Sequence, residues 1–503
     1  MRPILAGWTA VFLLVAAGGI GTARPAAAEP VVGGAKAHLR GAFGPLVAWP
    51  LIPLHAMLMP DGRVLSYGTD EQGQQSGLFV YDIWDPSRGT GPDSHFVLPN
   101  TTGTDLFCSA QTLLPTTGEV LLAGGDETID GERNYGSAAT TIFDPGTDSM
   151  RSEAPMTWRR WYPTLVTMAS GDVLVVGGRD TPTEPILTPE IYAPGQGWRA
   201  LPGARSSAAF GTRGMNWWYP RAFLTPRGRV AILTHTGGIH LLNPAASGRI
   251  SAVVAKMPQG HRALPAVMYA PGRVLSVRSS LQVALVDLNP ATPTVTLTRP
   301  VSQVRLWANA TVTADGRVVL TGGSAVLNEL TGAAYQAELW SPATGAWTRG
   351  AAARTERLYH SISLLLPDAT VLTGGGGAPG PKTQLNAEIY YPPYLFRTDG
   401  SGQLAARPVI TATPTWLQRG QPFTVQVGAG QMIRRVTLVR TGSVTHSLDA
   451  DQRHFELAFT QAGTVLTVTA PASGFVAPPG AYLLFAIDAK GVPSVARIVS
   501  LGI

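Results

Sequence analysis

The sequence predicts an all-β chain, a seven-bladed kelch-type β-propeller followed by a C-terminal immunoglobulin-like β-sandwich. Three observations predict it. Turn residues are spread along the whole length, with 57 Gly and 41 Pro among 503 residues and only 14% charged. One hairpin-like pattern recurs seven times. The pattern then stops near residue 400, and a different strand-rich texture takes over.

Each copy of the repeat has a few polar or aromatic residues, an apolar stretch, a turn usually built on Gly, a second apolar run and often a Gly-Gly pair. Examples are IPLHAMLMPDGRVLSYG around Gly62, LFCSAQTLLPTTGEVLLAGG around Gly118 and RWYPTLVTMASGDVLVVGG around Gly171. The others centre on Gly228, Gly272, Gly316 and Asp368. The turns fall roughly 44 to 57 residues apart, close to the ~50 of kelch units. Two β-rich runs about a turn such as Pro60-Asp61-Gly62 make a hairpin. Further runs, as in PEIYAPGQGWRAL from Pro189 and AELWSPATGAWTRG from Ala337, complete a four-stranded blade. Such sheets bury their faces only by stacking on neighbours, and radial stacking leaves short, protected edges. A linear solenoid is the alternative; repeats of this strand type favour the closed ring.

The blades end near NAEIYYPPYLF. Beyond the polar stretch 397–404, runs such as FTVQV, RVTLV, TVLTVTA and YLLFAI alternate between turns over about a hundred residues, as in a β-sandwich. The expected division is residues 1–28 signal peptide, 29–400 propeller and 401–503 sandwich. At the first end, Arg2 precedes an apolar run from Trp8 to Ile20, and Ala26, Ala27 and Ala28 precede Glu29, the pattern of a cleaved export signal. That run falls short of the ~20 apolar residues needed to cross a bilayer, so no membrane association is expected after cleavage. The expected location is therefore outside the cytoplasm, extracellular or periplasmic. A formal charge of +6 is carried by scattered basic residues with no stripe, which argues against nucleic acid as a partner.

An exported chain of this size has a single cysteine, Cys108, and so forms no internal disulfide. A buried apolar thiol is the plain explanation. The position of Cys108 suggests another. The innermost strand of each blade lines the propeller channel, so residues just before each first apolar run converge at one mouth. There stand Phe107-Cys108, Trp161-Tyr162, Trp218-Tyr219 and Tyr359-His360. A thiol, phenols and an imidazole thus face one another across the axis.

On these motifs the chain resembles the galactose oxidase and glyoxal oxidase family of copper radical oxidases. The strongest match runs from ERLYHSISLLLPD through Gly374 to Gly377 and AEIYYPPYLF. GSVTHSLDADQRHFEL and PPGAYLLFAIDAKGVPSVARIVSL also fit, as do TDLFCS and RRWYPTLVTM. The resemblance implies an early-set, galactose-oxidase-like last domain. It implies a thioether between Cys108 and Tyr162 that serves as a radical cofactor, and one Cu(II) held by Tyr162, His360, His446 and axial Tyr359, with Tyr359 also acting as general base. Imidazole and phenolate suit Cu(II) in a tetragonal site with open positions. The implied activity is two-electron oxidation of small aldehydes, α-hydroxy carbonyls or primary alcohols with reduction of O₂ to H₂O₂, by a secreted monomer. His446 has the least local support, since it sits in a polar stretch where a solvated imidazole would be ordinary. Tyr219 is expected to be a satisfied structural hydroxyl, and His55, His235, His240, His261 and His454 structural or surface groups.

Two departures bear on substrate. Where galactose oxidase carries a Trp that stacks over the cross-linked Tyr, this chain reads GGRDTPTEP, with Arg179 and Asp180; Trp161 or Trp217 is the expected substitute, or else the radical is more exposed. The propeller also begins almost at the start of the mature chain, without a preceding sugar-binding module, and RRWYPT is closer to glyoxal oxidase. Small aldehydes and alcohols are therefore expected before galactose. The rival reading is a non-catalytic kelch propeller that binds a glycan or protein partner, which would have no need of a Cys and Tyr poised to cross-link. A nucleophile elbow or a dinucleotide-binding glycine fingerprint is absent, since the Gly-rich stretches follow the blade hairpins.

Overall fold

The computed structural model describes residues 33–213 and 218–503. The expected export segment, residues 1–28, and Trp217 lie outside the described residues. Seven antiparallel blades are arranged around a channel among the described residues. Their innermost strands are His55–Leu58, Ala110–Leu113, Trp161–Thr167, Arg221–Leu224, Ala266–Ala270, Asn309–Val312 and Ser361–Leu365. These strands are buried almost throughout, because a neighbouring blade covers each face, and so they read as apolar runs rather than alternating ones. The fourth and fifth blades share one apolar cluster that includes Phe223, Leu233, Met268 and Val274.

The ring is closed by the start of the chain. Ala42–Phe43 and Val47–Ala48 pair with Asn386–Tyr391 on the outer side of the seventh blade. The repeat pattern does not show this, because the closing strands are only two residues long and separated from their blade by some 340 residues of sequence.

The Gly-Gly pairs have a physical cause. In the third, sixth and seventh blades an arginine just ahead of the inner strand is buried against a glutamate of the third strand. The pairs are Arg160–Glu190 at 3.0 Å, Arg305–Glu338 at 2.9 Å and Arg357–Glu388 at 3.5 Å. Each guanidinium also donates to a carbonyl of its own blade's Gly-Gly pair, at Gly177, Gly322 and Gly375. The backbone of the same arginine meets the Gly-Gly of the preceding blade: Gly125 N–H donates to the Arg160 carbonyl and Gly323 N–H to that of Arg357. A Cβ on Gly124 would lie 2.3 Å from the Arg160 carbonyl oxygen, and Gly124 has φ +78°, so only glycine fits. The motif locks the second blade to the third and the sixth to the seventh.

The last domain is a sandwich of a four-stranded and a five-stranded sheet around a core that includes Val425, Val436, Leu466, Leu484 and Val499. It packs against the turns at one end of the blades. Thr437 and Arg435 donate to the carbonyls of Ala314 and Asp315, and Arg407 to that of Asp368. Gly62 and Gly228 lie against Ile498 and Phe475. The residues that precede the inner strands are therefore at the opposite end of the channel.

One hairpin of the sandwich crosses that distance. Ser443–Thr445 and Leu448–Asp449 pair with each other and enter the propeller. Thr445, Val444 and Ser443 pair with His55, Ala56 and Met57 of the first blade, and Leu448 pairs with Ala266 of the fifth. Blades 1 and 5 and the hairpin form one continuous ten-stranded sheet. The two-residue tip, His446-Ser447, has φ +47° and +63°, the geometry of a type I′ turn built without glycine.

Removing one partner of a buried ion pair strands the other in a dry interior. Glu190→Ala is expected to destabilise the chain by about 3–5 kcal/mol, read as a lower urea midpoint at unchanged slope. A midpoint shift no larger than that of an exposed Glu→Ala control would remove these pairs from the stability of the ring.

Candidate metal centre

Cys108, Tyr162, Tyr359, His360 and His446 come together at the channel end remote from the sandwich contacts, and all five are buried. Four of them stand at or beside the start of an inner strand, in the second, third and seventh blades, and His446 arrives at the tip of the inserted hairpin. The sulfur of Cys108 lies 3.7 Å from His446 Nε2 and 4.0 Å from His360 Nε2. The donor atoms of these three residues all fall within 4.8 Å of one another. The Tyr162 and Tyr359 hydroxyls are hydrogen-bonded to each other, and the Cys108 thiol is a hydrogen-bonding neighbour of Tyr162.

The backbone is strained where it presents these groups. Cys108, Tyr162, Tyr219, Trp307, His360 and His446 all have positive φ, between 45° and 66°. Such conformations cost about 1–3 kcal/mol each for non-glycine residues. They are held by a staircase of backbone bonds across blades, with Tyr162 N–H to the Cys108 carbonyl and Tyr219 N–H to the Tyr162 carbonyl, each 3.0 Å. Asp105 fixes the start of the Cys108 turn by accepting from Gly77 and Phe107 N–H, and Arg133 holds Asp105 at 2.7 Å.

Both imidazoles are oriented by their far nitrogens. His360 Nδ1 is 2.6 Å from the Gly377 carbonyl, which can only accept, so Nδ1 carries the proton and Nε2 offers a lone pair inward. For His446 the partner is the Thr445 hydroxyl at 2.5 Å. That hydroxyl already donates to the Leu54 carbonyl at 3.0 Å, so it accepts from Nδ1 and leaves Nε2 of His446 unprotonated too. Burial lowers the pKa of His360 to about 3 and drives that of His446 well below its ordinary value, His360 and His55 adding to the shift. Both rings are neutral, the form that binds a metal.

Burial also pushes the Cys108 thiol and the Tyr162 and Tyr359 hydroxyls well above their ordinary pKa. Without a cation beside them these groups stay protonated. Two inward imidazole lone pairs, two phenols and a thiol, all desolvated, form a donor set that fits a late transition metal in a mixed nitrogen and oxygen site.

An aromatic cover closes the centre. Trp218 stacks on Tyr162 with ring centroids 4.6 Å apart and planes at 24°. Trp161 leans on the same ring at 4.1 Å, and Trp307 on Tyr359 at 4.4 Å. The stacking partner thus comes from the start of the fourth blade, as part of the NWWY string. Arg179, at the sequence position expected to carry it, instead lies over Trp161 and Trp218 at 4.8 and 5.3 Å. Tyr219 donates to the Ser109 carbonyl at 2.7 Å. His55 is buried in the channel, stacked on Tyr67 and bonded to Gln111. The sequence reading did not single out Thr445 or Trp307, and only the WANA and VTHS strings around them carried a signal.

Comparison with known proteins bears on this centre. Residues 407–501 match the family described as Galactose oxidase-like, Early set domain. The chain is 28% identical over 496 residues to galactose oxidase of Gibberella zeae, covering 91% of this chain and 70% of that one. It is 27% identical over 402 residues to an aldehyde oxidase of Arabidopsis thaliana, covering 68% of this chain and 64% of that one. A solved fungal alcohol oxidase of the AA5 family, in complex with copper, superposes with a TM-score of 0.81 at 24% identity, covering 92% of this chain and all of that one. The similarity to galactose oxidase therefore extends along nearly the whole chain and that to the aldehyde oxidase along about two thirds of it, and the fold is the one expected.

The tautomer argument has a direct test. Thr445→Val removes the acceptor of His446 Nδ1–H, and Cu(II) affinity measured by calorimetry is expected to fall about 10- to 100-fold. Thr445→Ser should restore most of it. Equal affinity in all three proteins would mean that Thr445 does not orient the ring.

Proposed function

We propose that this chain, a relative of galactose oxidase, is a copper radical oxidase that takes two electrons from small aldehydes, α-hydroxy carbonyls or primary alcohols and delivers them to O₂ as hydrogen peroxide. The observation that carries the proposal is the meeting of one thiol, two phenols and two inward imidazoles in a single buried, strained cluster. His360, His446, Tyr162 and Tyr359 would hold the metal. When bound, copper(II) supplies a one-electron acceptor and a Lewis acid for the substrate oxygen.

Cys108 and Tyr162 would form the second one-electron carrier. A bond from the sulfur to the ring removes one hydrogen from each partner, and these two protons and two electrons reduce O₂ to H₂O₂. The sulfur then donates electron density to the phenol and eases its oxidation. Tyr359, hydrogen-bonded to Tyr162, is placed to take the hydroxyl proton of an alcohol or of an aldehyde's hydrate. Tyr162 in its radical form takes the hydrogen atom from the carbon that bears that hydroxyl. Trp218, stacked on Tyr162, excludes water from the ring and so limits quenching by stray reductants.

Export after cleavage of residues 1–28, a propeller over 29–400 and a sandwich over 401–503 belong to the same proposal. So does the role of the sandwich in catalysis, since it supplies His446. In an oxidising compartment the lone cysteine is then consumed in a cross-link rather than left as a reactive thiol.

Loading the purified chain with Cu(II) in air should lower its intact mass by about 2 Da, the two hydrogens lost on cross-linking. Peroxide should then be released from one or more of glyoxal, methylglyoxal, glycerol and benzyl alcohol. Cys108→Ala is expected to lose the mass change and most of the activity, and a full-rate Cys108→Ala enzyme would overturn the radical assignment. His446→Ala should weaken copper binding; unchanged affinity would take the sandwich out of the centre.

A further inference from the structure

We infer that Arg221 is a positioning residue of the metal centre: its guanidinium holds the carbonyl of His446 against the fourth and fifth blades and so aims the His446 imidazole. The inference rests on the reading of His446 as a metal ligand and goes beyond it to what keeps that ligand in place. Arg221 opens the inner strand Arg221–Leu224 of the fourth blade and is buried. The strings RWYPT and WWYPR align on Tyr162 and Tyr219, so Arg221 stands where the third blade carries Thr164. It is therefore outside the blade-locking set of Arg160, Arg305 and Arg357, each of which has a glutamate partner. Among the described residues no carboxylate partners Arg221, and all its hydrogen bonds go to backbone carbonyls. Nη1 donates to Tyr219 at 2.9 Å, Nε to Leu264 at 3.4 Å, and Nη2 to Arg262 at 2.8 Å, Leu264 at 3.1 Å and His446 at 3.3 Å. The charge that acts on it most is another cation, Arg278, itself held by the carbonyls of Thr234, His235 and Pro258. A cation buried without a carboxylate is costly to keep, and the third blade, with Thr164 at the same place, does without one.

The acceptors belong to three separate stretches of chain: the start of the fourth blade, the approach to the inner strand Ala266–Ala270 of the fifth, and the hairpin tip. A planar fork of five N–H donors serves them together, whereas an amide has two donors and an ammonium no fixed plane. The tip needs such a donor. In a two-residue hairpin turn the ladder joins the flanking residues, here Thr445 and Leu448, and leaves the carbonyl of the first turn residue outside it. That residue is His446, which is buried, and a buried carbonyl requires a partner. Among the described residues Arg221 is the group that donates to it. The tip is also held at φ +47° and +63° without glycine, a strained geometry that persists only where several contacts enforce it. Thr445 secures the first-blade side through the Leu54 carbonyl and Leu448 the fifth-blade side through Ala266; Arg221 acts on the tip residue itself. Without that bond the peptide plane after His446 can rotate, and the Cα–Cβ bond that carries the imidazole turns with it.

A double-mutant cycle on copper binding tests this. In Arg221→Gln, Cu(II) affinity measured by calorimetry is expected to fall about 10- to 100-fold, and the paramagnetic resonance spectrum of the bound Cu(II) should show one strongly coupled imidazole nitrogen in place of two. In a His446→Ala background the same substitution should change affinity by less than about twofold, because the ligand through which it acts is already gone. Arg221→Lys keeps the interior cation, so it guards against a variant that fails to fold, and it should also lose affinity and the second nitrogen. A residue that only stabilised the blades would instead lower the urea midpoint and leave the affinity and nitrogen coupling of the folded protein unchanged. That result in either variant would overturn the inference, as would an equal loss of affinity with and without His446. If His446→Ala itself leaves copper binding unaltered, the assignment of His446 as a ligand fails, and the inference falls with it.

Discussion

The hairpin Ser443–Asp449, pinned edge-on between the inner strands of the first and fifth blades, is the contact from which the rest of the molecule takes its meaning. Its backbone hydrogen bonds run to His55, Ala56 and Met57 on one side and reach Ala266 on the other. They fix the register of a tip that carries one residue of the centre. A one-residue slip would turn every side chain of the strand to its other face, and would carry His446 out of the cluster. The base of the hairpin is equally constrained. One oxygen of the buried Asp449 carboxylate accepts N–H groups from Ser443, Asp451 and Gln452. The sandwich is thus joined to the propeller by a sheet as well as by a surface.

Around that hairpin the channel wall is polar, and its side chains bond to one another. Thr112 and Thr167 meet each other and Asp451; Thr311 meets Ser363; Asn309 meets Ser361. These small hydroxyl and amide groups stand where the inner strands face the axis, and they satisfy one another and the incoming hairpin. Towards the opposite mouth the lining changes to thiol, phenol, imidazole and indole. The same seven-fold strand geometry therefore presents a structural interior at one level and a reactive one at the next. The left-handed backbone at the starts of the inner strands marks the change.

Much of this was legible in the amino-acid sequence, for identifiable reasons. Blade hairpins announce themselves because each turn needs a residue tolerant of positive φ and each inner strand is buried on both faces. The convergence of Cys108, Tyr162, Tyr359 and His360 follows from their shared place ahead of those strands. The strings RRWY, VRLW and ERLY, with PEIY, AELW and AEIY, also contained the arginines and glutamates that lock the blades, but nothing local says that such charges face inward. Contacts that depend on distant register were hidden. The closing strands at Ala42–Phe43 and Val47–Ala48 are too short to carry a pattern, and the burial of His446 depends on a hairpin whose partners lie nearly 400 residues away in the chain. Trp218 stacks on Tyr162 from another blade, where one-dimensional alignment with the glycine pair of the third blade puts Arg179 instead.

The pairing of residues 42–48 with residues 386–391 has a consequence for synthesis. Residues 42–48 are made some 340 residues before residues 386–391, with which they pair, and His446 follows only after every blade has been made. No nascent fragment that stops short of residue 446 contains all five residues of the cluster, so the cluster is assembled late in synthesis. Translation order thereby delays the gathering of the five side chains until the blades that surround them have been made.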